Sequence, residues 1–346
     1  MKEYEAALQN QPVDISEEFT KQQNHFFVGS KVPEFDPETA AGKILWKGLS
    51  LKQRVSYHQL TLQFEDYKVW EDTPPEEYED EQALPFSLSF ITPRTLRLRI
   101  AGRPSIYPDG PSLMLDGEPP TNLSSWEMSE AETGTTYQGP FGSVSVNKDP
   151  VRFEFRDAAS GRLLTHTHNL ADAKGVVNSM PTPFSFVRNA SNLHRHLAAS
   201  FTLSPGEKLF GCGESFTRLD KRGQKLVLYA YDAYSAQTPN MYKPVPFFVS
   251  SRGYGMFVHT SAPLTLDLGC SHGEANVIYL GDDVLDLFFF SDLPRRSSPS
   301  IRTSPGVPPS RPCGRSASGW AARATPPKKR SARSQGSCAS TASPPM

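Results

Sequence analysis

Alternation of apolar and polar residues with a period of two is the feature that most constrains the fold of this chain. It occurs in QLTLQFE at 59–65, in RTLRLRIAG at 94–102 and in VRFEFRD at 151–157. Successive residues of a strand point to opposite faces, so each run predicts a strand with one buried and one solvent-facing side. In the second run, this pattern predicts that Arg97 and Arg99 lie on the solvent side.

Turn residues separate these runs. DAASG at 157–161 joins two apolar runs, and Ser251 to Tyr254 lies between PFFV and GMFV, so both segments predict β-hairpins. No strong helical period accompanies them. Many short strands joined by turns predict an all-β fold, an antiparallel β-sandwich.

Charge divides the chain into a body and a tail. From Pro294 to Met346 there are ten Lys or Arg and no Asp or Glu, whereas residues 1–293 hold 26 Lys or Arg against 37 Asp or Glu, a net charge of −11. The tail is also rich in Ser and Pro and poor in large apolar residues, so it predicts disorder. We expect an N-terminal extension at 1–20, a β-sandwich at 21–290 and a disordered tail at 291–346.

The composition of the body argues against several classes of protein. Its acidic balance gives no reason to expect binding to nucleic acid or membranes. Only Cys212 and Cys270 lie in the body, so a disulfide framework is not expected. The start, MKEYEAALQNQP, has no charged segment followed by an apolar one, which predicts a cytoplasmic protein without a secretion signal.

Two local patterns resemble cofactor or metal motifs but are incomplete. GCGESF at 211–216 has Phe216 where a dinucleotide fingerprint requires its third glycine, and no helical pattern follows. THTH at 165–168 and HRH at 194–196 each place two histidines on one strand face, but a metal site needs further ligands. We therefore predict no cofactor and no metal, and interpret these histidines as surface or half-buried residues.

The segment from Phe210 to Gly269 combines glycines, aromatic residues and charges more densely than the rest of the body. Aromatic faces cover the C–H surfaces of sugars, and carboxylates or arginines bind their hydroxyls, so this mixture is typical of a sugar site. An ordinary surface of loops and hairpins is the alternative interpretation.

Five motif blocks follow one another in this segment. They are G-x-G-E-x-F at 211–216, L-D-K-R-G-Q at 219–224, Y-D-A-Y at 231–234, Y-K-x-x-P-F at 242–247 and S-S-R-G-Y-G-x-F at 250–257. In this order they resemble the end of the N-terminal, galactose-mutarotase-like β-sandwich of glycoside hydrolase family 31, the α-glucosidases and α-xylosidases. The upstream sandwich fits this resemblance more loosely, through its strand pattern.

The resemblance implies retaining hydrolysis of α-linked sugars by two aspartates on a (β/α)8 barrel that follows the sandwich. It implies that a sandwich loop reaches over the barrel mouth, and that Asp232 on this loop binds the sugar. Supporting roles in the loop and hairpin are expected for five residues: Asp220, Arg222, Tyr231, Tyr242 and Arg252. The implied partners are an α-linked oligosaccharide or glycoside and the barrel domain.

The tail does not continue the resemblance in its own reading frame. Read one frame over with suitable wobble bases, the codons of Ser300 to Arg323 can encode YTDLTGRAPLPPLWSFGLWMGR, and Lys328 to Arg330 recode toward glutamates. That stretch resembles the family's entry into its barrel. We therefore expect a frameshift between about Phe290 and Pro294. The alternative is a basic tail that binds nucleic acid or another partner, for which Lys and Arg would suffice.

Without the barrel, the chain would lack both catalytic aspartates, so we expect it to be inactive and to expose the sandwich face that the barrel would cover. A stand-alone carbohydrate-binding β-sandwich without catalysis is the competing function, because fold alone does not decide function.

Overall fold

A computed structural model describes residues 12–21, 23–58, 63–72, 82–108, 115, 117–121, 123–168, 181–230 and 241–293. Within these ranges the chain is all-β, with short 3₁₀ helices at Ile15–Thr20 and Leu123–Ser125. Among these residues there is no helix with the length and apolar character needed to cross a membrane.

The strands of the described residues, numbered in chain order, are β1 His25–Asp36, β2 Ala41–His58, β3 Gln63–Asp72, β4 Gln82–Thr92, β5 Thr95–Ala101, β6 Glu127–Ala131, β7 Gly134–Gln138, β8 Gly142–Asn147, β9 Arg152–Asp157, β10 Leu163–His166, β11 Phe184–Arg188, β12 Arg195–Thr202, β13 Leu209–Glu214, β14 Gln224–Leu228, β15 Lys243–Ser250, β16 Gly255–Val258, β17 Leu264–Leu268, β18 Ala275–Leu280 and β19 Val284–Phe290.

Over the described part of the chain, these strands form two antiparallel sheets. The large sheet has 14 strands in the order β13-β15-β16-β19-β5-β4-β2-β1-β11-β12-β18-β17-β14, with β3 paired to β2. The small sheet has five strands in the order β10-β9-β8-β7-β6. The predicted hairpins around DAASG and around Ser251 to Tyr254 are confirmed as β9–β10 and β15–β16. The all-β prediction is likewise confirmed.

The two sheets pack face to face through aromatic rings of β9. Phe153 meets Phe86 of β4 edge-on, with ring centroids 5.6 Å apart, and Phe184 of β11 at 5.5 Å. Phe155 stacks on Phe289 of β19 at 4.2 Å. The charged residues at 152, 154 and 156 alternate with these rings and are partly exposed, as the period-two pattern predicts. The core therefore lies between the small sheet and the concave side of the large one.

The prediction that Arg97 faces solvent is wrong. This β5 residue is 0% exposed, and its guanidinium donates to both carboxylate oxygens of Asp286, at 2.7 and 2.6 Å, and to Glu118 Oε1 at 2.7 Å. Leu115 and Glu118, which follow β5 in the chain, lie against the outer face of the sheet. Arg99 is partly exposed, and its Nη2 lies 3.1 Å from Oε1 of Glu118. These residues thus cover the face of β5 that the period-two pattern alone predicts to be exposed to solvent.

Asp286 is the centre of this outer network. Burial alone would raise the pKa of Asp286, but hydrogen bonds from Arg97 and from His259, whose Nδ1 lies 2.8 Å from Oδ2, outweigh burial and lower it. The carboxylate therefore stays ionised. This compensates the charge of a buried arginine that would otherwise be costly to desolvate.

The sandwich contacts both flanking segments. Ile15 and Phe19 of the first 3₁₀ helix are buried, and the ring of Phe19 lies 5.2 Å from Tyr279. At the other end, Leu293 is buried and its N–H donates to Gly253 O at 2.9 Å. Residues 294–346, most of the predicted tail, lie outside the described residues, so the expected disorder there stays a prediction.

We expect Phe155→Ala to lower the free energy of unfolding by about 3–5 kcal/mol, because it removes a buried ring that bridges the two sheets. Urea unfolding followed by tryptophan fluorescence measures this loss. The matched control, Phe216→Ala at an exposed position, should cost less than about 0.5 kcal/mol. Equal losses in the two variants would contradict the assigned core.

Candidate functional site

Two glycines allow β13 to approach β15 more closely than side chains permit. A Cβ atom on Gly211 would lie 2.6 Å from Phe247 O, and one on Gly213 would lie 2.1 Å from Lys243 O. Gly211, Cys212 and Gly213 all have positive φ, at 123°, 67° and 93°. The register shifts between the two glycines. The G-x-G of the first motif block therefore creates an irregular strand end, as left-handed backbone and a bulge require.

A buried lysine holds the loop that follows this strand end. Lys221 Nζ donates to Ser215 Oγ and Thr217 Oγ1, both at 2.8 Å. Burial lowers the pKa of Lys221, and the neighbouring Cys212 partly offsets this effect. Burial also raises the pKa of the Cys212 thiol to about 12, so that thiol stays protonated and unreactive. Lys221 and Cys212 therefore stabilise the loop and do not form a nucleophilic centre.

Arg222 fixes the other side of the same loop. Its guanidinium donates to three backbone carbonyls: Ser204 O at 2.7 Å, Glu207 O at 3.1 Å and Gly273 O at 2.8 Å. Arg222 thereby joins the turn before β13 to the turn before β18, with both of its Nη atoms donating within the protein.

Asp220 and Gln224 complete the fixed loop. Asp220 Oδ1 accepts from the backbone N–H groups of Leu209 at 3.2 Å and Arg222 at 3.1 Å. The Gln224 side-chain amide donates to Asp220 O at 2.7 Å and to Arg218 O at 3.3 Å. The polar side chains of Asp220, Arg222 and Gln224 in the second motif block therefore form hydrogen bonds within the protein.

The residues that flank the segment containing Asp232 lie next to each other. Ala230 and Met241 form an isolated β-bridge, and Met241 is buried. Asp232 and Tyr231 belong to residues 231–240, outside the described part of the chain, so the sugar-binding role of Asp232 stays a prediction. Tyr242, adjacent to the bridge, is 51% exposed.

Three large, exposed apolar residues lie in the loop after β13 and directly before β15. Phe216 is 59% exposed and Leu219 is 66% exposed, both in the loop after β13, while Tyr242 directly precedes β15. Glu214 pairs with Lys243, so Phe216 and Tyr242 lie at the same end of the β13–β15 pair. We call Phe216, Leu219 and Tyr242 the apolar loop patch.

Arg252 fixes the hairpin between β15 and β16. Its Nε donates to Leu164 O at 3.2 Å and its Nη2 to Leu163 O, both in β10. Its own carbonyl accepts from Arg162 at 3.0 Å. Arg252 therefore ties the large sheet to the small one, at the opposite end of β15 from the apolar loop patch.

Glu207 is an additional buried group that sequence reasoning missed. Its Oε1 accepts from Ser250 Oγ at 2.5 Å and from Tyr254 OH at 2.7 Å, and its Oε2 accepts from Ser204 N at 2.8 Å. Burial and the adjacent carboxylate raise the pKa of Tyr254 well above its usual value. The S-P-G-E spacing at 204–207, in which a glutamate returns to a backbone N–H three residues earlier, was the available signal.

The described residues do not form a metal site. They contain no group of three or more His, Cys, Asp or Glu that could hold a metal ion. His166 and His168 have ring centroids 6.4 Å apart, and His166 Nδ1 lies 2.8 Å from Thr167 O. The site therefore consists of a hydrogen-bonded loop and the exposed apolar loop patch.

A protein-family model matches this chain. The model of the glycosyl hydrolase 31 N-terminal galactose mutarotase-like domain matches residues 85–267, more than half of the chain. This range includes all five motif blocks.

The relatives are much longer proteins. The chain is similar to an alpha-xylosidase of Emericella nidulans, with 30% identity over 132 residues, 36% of this chain and 16% of that protein. It is also similar to an isomaltosyltransferase of Sporosarcina globispora, with 23% identity over 175 residues, 51% of this chain and 14% of that protein. The chain thus spans about a sixth of the length of these relatives.

Solved structures show the same fold. The cycloalternan-forming enzyme of Listeria monocytogenes, in complex with a pentasaccharide substrate, superposes with a TM-score of 0.55 at 19% identity, over 77% of this chain and 21% of that one.

We expect Gly213→Ala to lower the free energy of unfolding by at least about 2 kcal/mol, because a Cβ atom combines left-handed strain with overlap on Lys243 O. The control is Gly206→Ala, which has φ of +72° but no atom within 4 Å of the added Cβ, and should cost about 1 kcal/mol. Urea unfolding of both variants measures the difference. A loss at Gly213 no larger than that at Gly206 would show that close strand approach is unimportant.

Proposed function

Because this chain belongs to the glycosyl hydrolase 31 family through its N-terminal galactose mutarotase-like domain, we propose that residues 21–290 are the N-terminal β-sandwich of a retaining α-glycoside hydrolase of the α-glucosidase or α-xylosidase type. The family match over residues 85–267 carries this proposal. Among the relatives, the alpha-xylosidase favours a substrate with an α-linked xylosyl unit, and the isomaltosyltransferase favours a glucosyl unit.

In this proposal Asp232 contacts the sugar near the cleaved bond. The Ala230–Met241 bridge fixes both ends of its segment, and the network of Lys221 and Arg222 makes the adjoining loop rigid. An ionised carboxylate accepts hydrogen bonds from sugar hydroxyls, and such charge-assisted bonds are stronger than neutral ones. An α-linked oligosaccharide is the proposed ligand of the complete enzyme.

The apolar loop patch would be covered by the catalytic domain. Phe216, Leu219 and Tyr242 are large and exposed, and hydrogen bonds hold Ser215 and Asp220, the neighbours of the first two in the loop. Ordering such a surface on docking costs little further entropy, and clustered exposed apolar residues mark interaction sites. The proposed partner is the barrel that would supply both catalytic carboxylates.

On this proposal the 346-residue chain is inactive by itself. Retaining hydrolysis needs two carboxyl groups roughly 5–5.5 Å apart across the scissile bond. One sugar-binding aspartate on the sandwich cannot provide both the nucleophile and the acid/base.

We also propose that the sequence after about Phe290 is a frameshifted translation of the entry into the barrel. Sequencing of genomic DNA across codons 285–300 tests this. The expected result is a one- or two-base difference, after which the frame continues into the barrel motif. An unchanged sequence with no such motif in transcripts would contradict the proposal and leave a sandwich with a basic tail.

We expect Asp232→Asn, in the enzyme with the reading frame restored, to lower kcat/KM on aryl α-glucosides or α-xylosides about 10- to 100-fold, since it removes charge-assisted hydrogen bonds. Glu34→Gln is the matched control, because Glu34 is exposed and forms a surface ion pair with Lys43. The 346-residue chain should show no turnover. Turnover by that chain, or equal activity of the two variants, would contradict the proposed roles.

A further inference from the structure

Three basic side chains lie side by side across three neighbouring strands of the large sheet. His25 of β1 is directly opposite Arg188 of β11, and Arg188 is directly opposite Arg195 of β12. Residues that are directly opposite in adjacent strands point to the same face of the sheet. We call His25, Arg188 and Arg195 the basic row. All three side chains are partly exposed, so the basic row can be reached from solvent.

The basic row continues the face of the large sheet that carries the core. Phe186, two residues before Arg188, belongs to the core, and the guanidinium of Arg195 lies 5.4 Å from the centre of its ring. The small sheet contacts β11 through Phe184, which lies four residues, or about 13 Å, from Arg188 along the strand. The basic row therefore lies at the end of the core face, beyond this contact with the small sheet.

Arg188 has no partner of opposite charge in the described part of the chain. Its Nε is buried and has no hydrogen-bond partner, and no acid among the described residues lies within ion-pair distance of its guanidinium. A buried donor without an acceptor is costly, and like charges directly across a strand pair are destabilising. The Arg188–Arg195 pair combines both costs at one place.

The other two members of the basic row do not compensate the charge of Arg188. Arg195 donates through Nη1 to Gly102 O, a neutral acceptor. Burial and the charge of Arg188 lower the pKa of Arg195, whereas Asp283 acts in the opposite direction. Asp283 is itself 3.2 Å from Nη1 of Arg103 and is shared with that arginine. Burial and Arg188 also lower the pKa of His25, so its ring is largely neutral at pH 7.

An oxyanion fits this arrangement. Residues directly opposite in antiparallel strands have Cα atoms about 5 Å apart, so the guanidinium groups of Arg188 and Arg195 can reach one ligand together. Guanidinium forks match the oxygens of carboxylates and phosphates and form two parallel hydrogen bonds with them. A bound oxyanion would give the buried Nε of Arg188 an acceptor and would remove the repulsion between the two arginines.

We propose that the basic row is an oxyanion-binding site, at which Arg188 and Arg195 bind the carboxylate or phosphate group of a small ligand. The competing explanation is that water alone hydrates the two guanidinium groups above the apolar surface of Phe186. The proposal does not depend on the proposed glycosidase function, because the basic row contains no residue of the apolar loop patch or of the segment with Asp232.

Isothermal titration calorimetry of the 346-residue chain tests the proposal with two probes, sodium glucuronate and inorganic phosphate. Ionic strength is held constant, so that screening does not change between titrations. We expect saturable binding of at least one probe, and at least tenfold weaker binding of glucose, which has no charge. Tighter binding of glucuronate would identify a carboxylate ligand, and tighter binding of phosphate would identify a phosphate ligand.

Four variants locate the binding. Arg188→Gln and Arg195→Gln should each weaken it about tenfold or more, because each removes charge-assisted hydrogen bonds. Arg188→Lys keeps the charge but loses the planar fork, so it should weaken binding less than Arg188→Gln. The matched control is Arg156→Gln, with the same change of charge at an arginine that already has a carboxylate partner, Glu154 Oε2 at 2.9 Å from Nη2. This control should bind like wild type.

Far-UV circular dichroism identifies variants that fold, and Arg188→Lys replaces Arg188→Gln in the comparison if the latter does not. A wild-type chain that binds neither probe would overturn the proposal. Undiminished binding in the folded variants of Arg188 and Arg195 would also overturn it. An equal loss in Arg156→Gln would show that the probes respond to the overall charge of the chain and not to the basic row.

Discussion

The packing of β9 against the large sheet is the interaction on which the rest of the structure depends. Neighbouring strands lie about 4.8 Å apart, so β19 and β12, six steps apart in the sheet order, would be separated by about 29 Å in a flat sheet. Yet Phe155 contacts Phe289 of β19 at 4.2 Å and Phe201 of β12 at 6.4 Å. One buried ring can reach both only if the large sheet curls around the small one. The aromatic core therefore dictates the curvature.

That curvature also determines where the candidate site forms. β13 and β14 are the two ends of the large sheet's strand order, and curling brings β14 into contact with β15, the neighbour of β13. The fixed loop at 215–223 connects β13 to β14, and residues 229–242 connect β14 to β15. Both connections therefore arise where the sheet ends meet. Because hydrogen bonds fix the loop at 215–223, the apolar loop patch can contact another domain without rearrangement of the core.

The sequence predicted the strands well, because burial on one face produces a period of two in β9 and both predicted hairpins follow from turn residues. It failed at Arg97, since the partner Asp286 is 189 residues away and the covering segment has no periodic pattern. Glu207 was missed although its local spacing was informative, because its partners Ser250 and Tyr254 are also distant in sequence. The position of Asp232 follows from the family resemblance alone and stays a prediction.

The motif blocks that identify this family describe backbone geometry more than chemistry in this domain. Gly211 and Gly213 permit close strand approach, and Gly223 and Gly253 adopt φ of 74° and 94° at turns. Asp220 and Arg222 satisfy backbone donors and acceptors. Each role requires one residue type. At the glycine positions, a Cβ atom would be strained at the turn or would overlap the adjacent strand. At Arg222, a shorter polar group would leave backbone carbonyls unpaired. A domain can therefore carry a clear family motif while the reaction depends on residues elsewhere.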